Sequence, residues 1–242
     1  MRVQAIKTRI VEVSSIKLTD LIFESLSSVP NNSVVAITSK VVSLCEGSVI
    51  PFGSASKDEI IENDADYFLP KKNNKYGVYL TIKNNLLLPS AGVDESNTNG
   101  NYVLWPKDPQ KSAKLCRDFI IDKYKIENVG IIITDSTSSP LRLGVTGKCV
   151  SYYGFKGLNS KIGQVDLFGR KLRMTQVNVA DSLAASAVLC MGESNEQTPI
   201  ALIDEIPFVE FCNHQPADNL NTDINNDLYE QLLNGVKWQS RK

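Results

Sequence analysis

The sequence predicts an α+β fold, built of mixed sheets with packed helices. Three observations carry this. Residues 34–37 (VVAI) and 129–134 (VGIIIT) are short, continuous apolar runs rich in β-branched residues, the pattern of strands buried on both faces. Several other segments repeat their apolar residues at helical spacing, and the two kinds of segment do not alternate as strict βαβ units.

Taken in order, residues 3–13 partly alternate apolar and polar positions, as a half-buried strand does, and Leu18, Leu21, Ile22 and Leu26 then mark a helix. The buried strand at 34–37 is followed by polar Thr38-Ser39-Lys40, a second apolar run at Val41-Val42, and Gly47, which closes the unit. Residues 57–68 read as helix, and 78–82 with 86–88 as a hairpin turning at Asn84-Asn85. Ser112 is expected to cap a helix that runs through Leu115, Phe119 and Ile120. The strand at 129–134 is expected to end on Asp135. Val177, Ala180, Leu183, Ala184, Ala187 and Val188 mark an alanine-rich helix that stops at Gly192, and Pro199 introduces a strand at 200–203. After Pro207 the composition shifts to Asn and Asp, and Leu228, Leu232 and Val236 suggest one last short helix. With no internal repeat or low-complexity linker, residues 1–206 are expected to form one unit and 207–242 a C-terminal extension.

The chain has 242 residues, 42% hydrophobic and 22% charged, which is enough apolar material for a core and excludes disorder as its main state. Lys+Arg number 26 against 27 Asp+Glu, so the basic excess of a nucleic-acid binder is missing, and phosphate must be met locally. No stretch approaches the roughly 20 apolar residues of a membrane span. Charges interrupt residues 1–13 where a signal peptide would be continuously apolar, so a cytoplasmic location is expected. The five cysteines, Cys45, Cys116, Cys149, Cys190 and Cys212, are scattered singly, which argues against a disulfide framework or zinc site. His214 is the single histidine and sits in a polar stretch, so histidine-based mechanisms are disfavoured. Chemistry must rest on carboxylates, hydroxyls, lysines, backbone groups or bound metal.

Two segments offer such groups. Ala91-Gly92-Val93-Asp94-Glu95-Ser96-Asn97 gathers carboxylate, hydroxyl and amide behind a glycine, as a hard cation or a phosphate requires; its structural alternative is a polar surface turn. Thr134-Asp135-Ser136 places a carboxylate where a buried strand emerges, although both residues also favour plain turns. Oxygen donors with no nearby histidine or cysteine suggest Mg²⁺ or Mn²⁺ before Zn²⁺. Ser39-Lys40, after a buried strand, is a candidate phosphate contact. Gly144 to Lys148 is not a P-loop, because two residues separate its glycines instead of four and Cys149 follows the lysine.

The stretches ITSKVV with EGSVI, SAGVDESN, ITDS with Pro140 and Arg142, DLFGRKL, and NVADSLAASAVLCMGE before TPIALI resemble the coenzyme F420-0:L-glutamate ligases, the gamma-glutamyl ligases that add glutamate to a deazaflavin precursor. They run in the family's order over most of residues 10–206, and AGVDESN joined to the TDS strand end is a specific combination. The resemblance implies the gamma-glutamyl ligase-like fold. It implies that Asp94 and Asp135 bind a divalent metal, with Ser136 replacing the family's Thr at a second metal position. Asn97, Ser39 and Lys40 align with nucleotide contacts. Glu193, after Met191-Gly192, aligns with a Gln or Glu that also reaches metal, and the segment through Thr198, with Met191, Gly192, Glu193 and Ser194, aligns with a nucleotide-binding loop. Arg142 is assigned to orienting an anionic carboxylate or phosphate through its planar fork.

The same resemblance implies GTP, or else ATP, as co-substrate, two Mg²⁺ or Mn²⁺ ions with K⁺, and an intertwined homodimer. Its substrates are L-glutamate and a deazaflavin or, in the alternative, a pterin acceptor such as a folate. The implied reaction transfers the γ-phosphoryl group to the acceptor's carboxylate and then displaces phosphate with the amine of glutamate. A further alternative is a non-catalytic homologue that binds nucleotide or metal. The chain departs from the family at Leu44, where Lys is usual, at Ser138-Ser139-Pro140-Leu141-Arg142 in place of Gly-Arg-Pro-Trp-Arg, and at Val145-Thr146-Gly147. These changes fall on recognition positions, while the metal-binding positions are kept.

Overall fold

A computed structural model describes residues 1–214 and 220–241. In chain order the strands and helices are β1 (Arg2–Ile6), α1 (Leu18–Ser25), β2 (Ser33–Thr38), α2 (Ser39–Glu46), β3 (Val49–Pro51), α3 (Lys57–Asp64), β4 (Tyr67–Leu69), β5 (Leu80–Lys83), β6 (Leu86–Pro89) and β7 (Asn101–Val103). They continue with α4 (Pro109–Tyr124), β8 (Val129–Ser138), β9 (Val145–Tyr153), β10 (Leu158–Ser160), β11 (Gln176–Asn178), α5 (Val179–Met191), β12 (Ile200–Asp204) and α6 (Glu230–Leu233). Mixed sheets with helices packed on them make this the α+β class.

The central sheet has the order β1-β12-β2-β8-β9, with β2 and β8 parallel and every other pair antiparallel. Its three middle strands are buried on both faces, which is why they read as continuous apolar runs. Alternation sends Val35, Ile37, Ile131, Ile133, Ile200 and Leu202 to one face, against Leu18 and Ile22 of α1 and Cys116 and Ile120 of α4. Val34, Ala36, Ile132, Ala201 and Ile203 face the other way, against Ala180, Leu183, Ala184 and Ala187 of α5. A separate small core, with Ile60, Ile61, Phe68, Tyr79, Ala91 and Val93, holds α3 and the β4-β5-β6 sheet together and supports the segment that leads into Asp94.

Several elements differ from the sequence expectation. The first strand ends at Ile6 instead of reaching residue 13. Ser39 and Lys40 form the first turn of α2, which ends on Gly47 in the left-handed conformation (φ 69°). The helix expected over 57–68 stops at Asp64; Ser56 caps its start in a reciprocal capping box, and Tyr67–Leu69 pairs with β5. Asp108 caps α4, its side chain accepting from the Lys111 N–H at 2.9 Å, and Pro109 takes the first helical position. Ser112 lies inside that helix. Strand β8 continues past Asp135 to Ser138, with a bulge between Ile133 and Thr134. The extension after 206 is packed on the main unit: Val209 is buried in the α5-side core, and Gln239 pairs with Phe68. Among the described residues, no helix is long and apolar enough to cross a membrane.

Helix α5 approaches β9 closely because Gly147 has no side chain. A Cβ there would lie 2.4 Å from the Ala184 carbonyl oxygen and 2.7 Å from Val188. Gly147→Ala is therefore expected to destabilise the fold by about 1–3 kcal/mol, read as a lowered midpoint in urea unfolding with an unchanged slope.

Candidate active site

The cleft that collects most of the singled-out residues has a volume of about 590 Å³. Five segments meet there: residues 8–11 after β1, the first turn of α2, the loop from Asp94 to Asn99, the emerging part of β8, and the loop from Gly192 to Thr198 after α5. Ser39, Lys40, Asp94, Asn97, Asp135, Ser136, Met191, Gly192, Glu193 and Ser194 all line it. Arg142 does not. It sits, exposed, in the turn between β8 and β9, where the hairpin has left the sheet core, and nothing there brings it to the carboxylates. His214 is likewise exposed and outside the cleft.

Strand β2 delivers the chain to the cleft floor and α2 begins at once. Thr38, at its N-cap position, makes no side-chain cap, so the first amides of α2 are left for solvent or ligand and carry the positive end of the helix dipole. Lys40, in that first turn, places its ammonium 2.7 Å from Asp94 Oδ2 and donates to Ser96 Oγ at 2.9 Å and the Ser96 carbonyl at 3.1 Å. Asp94 Oδ1 also accepts from the Ser96 N–H at 2.8 Å. The backbone of Asp94 pairs with Val103, which fixes the start of the loop. Asn97, at φ 55°, donates from Nδ2 to the Ser194 carbonyl at 2.9 Å and so ties the acidic loop to the loop after α5. Within that second loop, Glu196 accepts from the Ser194 N–H at 2.9 Å, and Gln197 donates to the Thr8 carbonyl at 2.7 Å.

The two aspartates are held in opposite electrostatic conditions. Burial alone would raise Asp94, but Lys40 and Ser96 outweigh it and hold the carboxyl below its usual range. Burial, with Asp94's negative charge added, pushes Asp135 up to about 6 despite hydrogen bonds from Trp105 and the Ser136 N–H. Asp135 Oδ2 accepts from the indole N–H of Trp105 at 2.6 Å, and Oδ1 from the Ser136 N–H at 2.9 Å.

The donor set is oxygen-only and doubly acidic, which fits a hard divalent cation. Lys40 is the positive charge that balances it in the free protein. Among the described residues, no three His, Cys, Asp or Glu side chains gather into a preformed site, and Glu193 is exposed without joining the pair. A cation held at Asp94 and Asp135 would therefore need further oxygen ligands from outside the two side chains. Sequence reasoning missed Trp105, Thr8 and Arg9 as parts of this region, and it included Glu196 and Gln197 only within the loop through Thr198. One of two tryptophans in the chain, Trp105 was the only one of these with a signal of its own, its rarity.

The sequence pattern of F420-0:gamma-glutamyl ligases matches residues 54–205. The chain belongs to this family. Asp94, Asn97, Asp135, Ser136 and Glu193 lie within the matched stretch, while Ser39 and Lys40 precede it. A coenzyme F420:L-glutamate ligase of Methanococcus maripaludis strain S2 is 35% identical over 212 residues, covering 78% of this chain and 83% of that protein. The protein of the same description from Methanocaldococcus jannaschii is 31% identical over 202 residues, covering 74% and 79%. A third, from M. maripaludis strain C7, is 42% identical over 125 residues; there the alignment spans about half of each chain, 52% and 50%.

The opposite shifts of the two aspartates set a pH dependence in metal-free protein. The folded state keeps Asp135's proton up to about pH 6, whereas an unfolded aspartate releases it near pH 4, so stability from this group falls as pH rises through that window. Asp94 acts in the opposite sense, losing its contribution as pH falls below the ordinary carboxylate range. Urea unfolding should show Asp135→Asn gaining stability relative to wild type between pH 4.5 and 7. A difference that stays constant with pH contradicts this.

Proposed function

We propose that this protein is a nucleotide- and metal-dependent ligase that joins L-glutamate through an amide bond to a cofactor carboxylate, with F420-0 as acceptor, by way of an acyl phosphate. The observation that carries this reading is the facing of Asp94 and Asp135 in one cleft with Lys40 and the uncapped start of α2. The family, and relatives described as coenzyme F420:L-glutamate ligases, support the acceptor.

A carboxylate is a poor acyl donor and must first be activated. Transfer of the γ-phosphoryl group from GTP to the acceptor's carboxylate oxygen gives an acyl phosphate and GDP. The free amine of glutamate then attacks the carbonyl carbon, phosphate leaves, and the amine's proton passes to water. Phosphoryl transfer asks a protein chiefly for positioning and charge neutralisation. A bound Mg²⁺ or Mn²⁺ supplies the neutralisation, with K⁺ as a further cation, and Asp94, Asp135 and the Ser136 hydroxyl would hold the divalent ion, with Glu193 reaching toward it. Lys40 is already in the cleft, paired with Asp94, and a cation held by that carboxylate would free its ammonium for phosphate. The amides at the start of α2, with Ser39, and the Met191–Ser194 segment with Asn97 form the nucleotide's cradle. The protein works as a homodimer, which agrees with the full exposure of Leu141, Leu143 and Leu167 and the near-full exposure of Phe168 outside the cleft.

The direct test is to incubate the protein with GTP, Mg²⁺ or Mn²⁺, glutamate, and either F420-0 or tetrahydrofolate, and to look by mass for one added glutamyl unit. An adduct on F420-0 is expected. An adduct on the folate alone transfers the same chemistry to a pterin acceptor, and none on either, with nucleotide still bound, points to a non-catalytic homologue. Asp94→Ala and Asp135→Ala should each lower turnover by about 100-fold or more while leaving the circular dichroism spectrum unchanged.

A further inference from the structure

We propose that Trp105 is a positioning residue for the candidate active site: its indole N–H fixes one oxygen of Asp135 and so sets the direction in which that carboxylate meets a cation. This rests on the reading of Asp135 as a cation ligand.

The indole donates to Asp135 Oδ2 at 2.6 Å, while the Ser136 N–H holds Oδ1 at 2.9 Å, so each oxygen is engaged once. A carboxylate accepts at about four lone-pair positions, and two are left for the cleft. Indole N–H is a donor only. It can neither take Asp135's proton nor bind the cation itself, and its one polar capability here is to aim the carboxylate.

The ring is itself immobilised on several sides. Trp105 is 5% exposed. Its carbonyl accepts from Ser48 Oγ at 2.9 Å. The ammonium of Lys83 lies 5.1 Å from the ring centroid, and Lys83 is ion-paired with Asp64. Gly92 also lies against the ring: a Cβ there would sit 2.3 Å from Trp105 Nε1, and its φ is +73°. Gly92 is therefore required twice, by its backbone conformation and by the indole it admits. It also lies two residues before Asp94 in the acidic loop. One glycine thus couples the course of the Asp94 loop to the orientation of Asp135. Partners that orient metal-binding side chains typically change metal affinity by roughly 10–100-fold when removed.

The test uses Mn²⁺ alone as probe, with free Mn²⁺ followed by electron paramagnetic resonance, and the two indole N–H resonances followed by NMR. Trp238→Phe assigns them. Wild type is expected to bind Mn²⁺ at least tenfold more tightly than Asp135→Ala, and Trp105→Phe to weaken binding by roughly 10–100-fold at a temperature where both proteins are folded by circular dichroism. Added Mg²⁺ should move the Trp105 indole resonance, leave that of Trp238 in place, and move neither in Asp135→Asn. Because Trp105→Phe replaces a buried indole with a smaller ring, the resonance in wild-type protein serves as the measurement independent of folding, and Gly92→Ala should abolish its Mg²⁺ response. Binding in Trp105→Phe within twofold of wild type, or a Trp105 resonance that does not respond while Asp135-dependent binding is present, overturns the proposal. If wild type and Asp135→Ala bind Mn²⁺ equally, the cation reading of Asp135 itself fails and the proposal falls with it.

Discussion

Two carboxylates share one cleft, and the single ammonium of Lys40 offsets their charge. Asp94 and Asp135 come from segments far apart in sequence, and the fold holds them near enough that the charge on one raises the pKa of the other. Such an arrangement costs free energy in an isolated chain, because a desolvated carboxylate beside a second negative charge is held partly in its neutral form. The rest of the site compensates. Lys40 and Ser96 satisfy Asp94, and Trp105 with the Ser136 N–H satisfies Asp135. A divalent cation would remove the same conflict more completely, which is the physical basis for proposing one in this cleft.

The sheet positions these groups by changing character along single strands. Strand β8 is buried on both faces from Val129 to Thr134 and then emerges past a bulge, so its rigid half anchors the half that carries Asp135 and Ser136. Strand β2 runs parallel beside it and ends where α2 starts, which brings the helix N-terminus and Lys40 to the same edge. The acidic loop is supported by a second, smaller core, and Asn97 bridges it to the loop after α5. The cleft is therefore a meeting of separately anchored loops, in which a one-residue change of register in any strand would separate the partners.

What the sequence revealed follows from where each residue spends its interactions. The strands at 34–37, 129–134 and 200–203 were legible because burial on two faces demands unbroken apolar runs, and α5 because Ala180, Leu183, Ala184 and Ala187 recur on one face. Strand β9 was missed: Thr146, Gly147 and Lys148 interrupt its pattern, and Gly147 serves the approach of α5, which only the folded chain displays. Ser112 outcompeted Asp108 as the apparent cap because the apolar pattern starts later than the helix, although Pro109 was the available sign. In the site, Asp94 and Asp135 stood out locally, one behind a glycine and the other beyond a buried strand. Arg142 also looked suitable by type, yet it lies on a hairpin turn away from the cleft. Trp105 and Gln197 reach their partners through contacts 30 and 189 residues apart, and no local pattern announces those.

The most direct measurement is the anomalous difference map of a crystal grown with Mn²⁺ and a non-hydrolysable GTP analogue. A peak about 2.0–2.3 Å from a carboxylate oxygen of both Asp94 and Asp135, with Lys40 withdrawn from Asp94 toward the phosphates, is the predicted result. A nucleotide bound in the cleft with no peak between the two aspartates, and with Lys40 still paired to Asp94, would contradict the account.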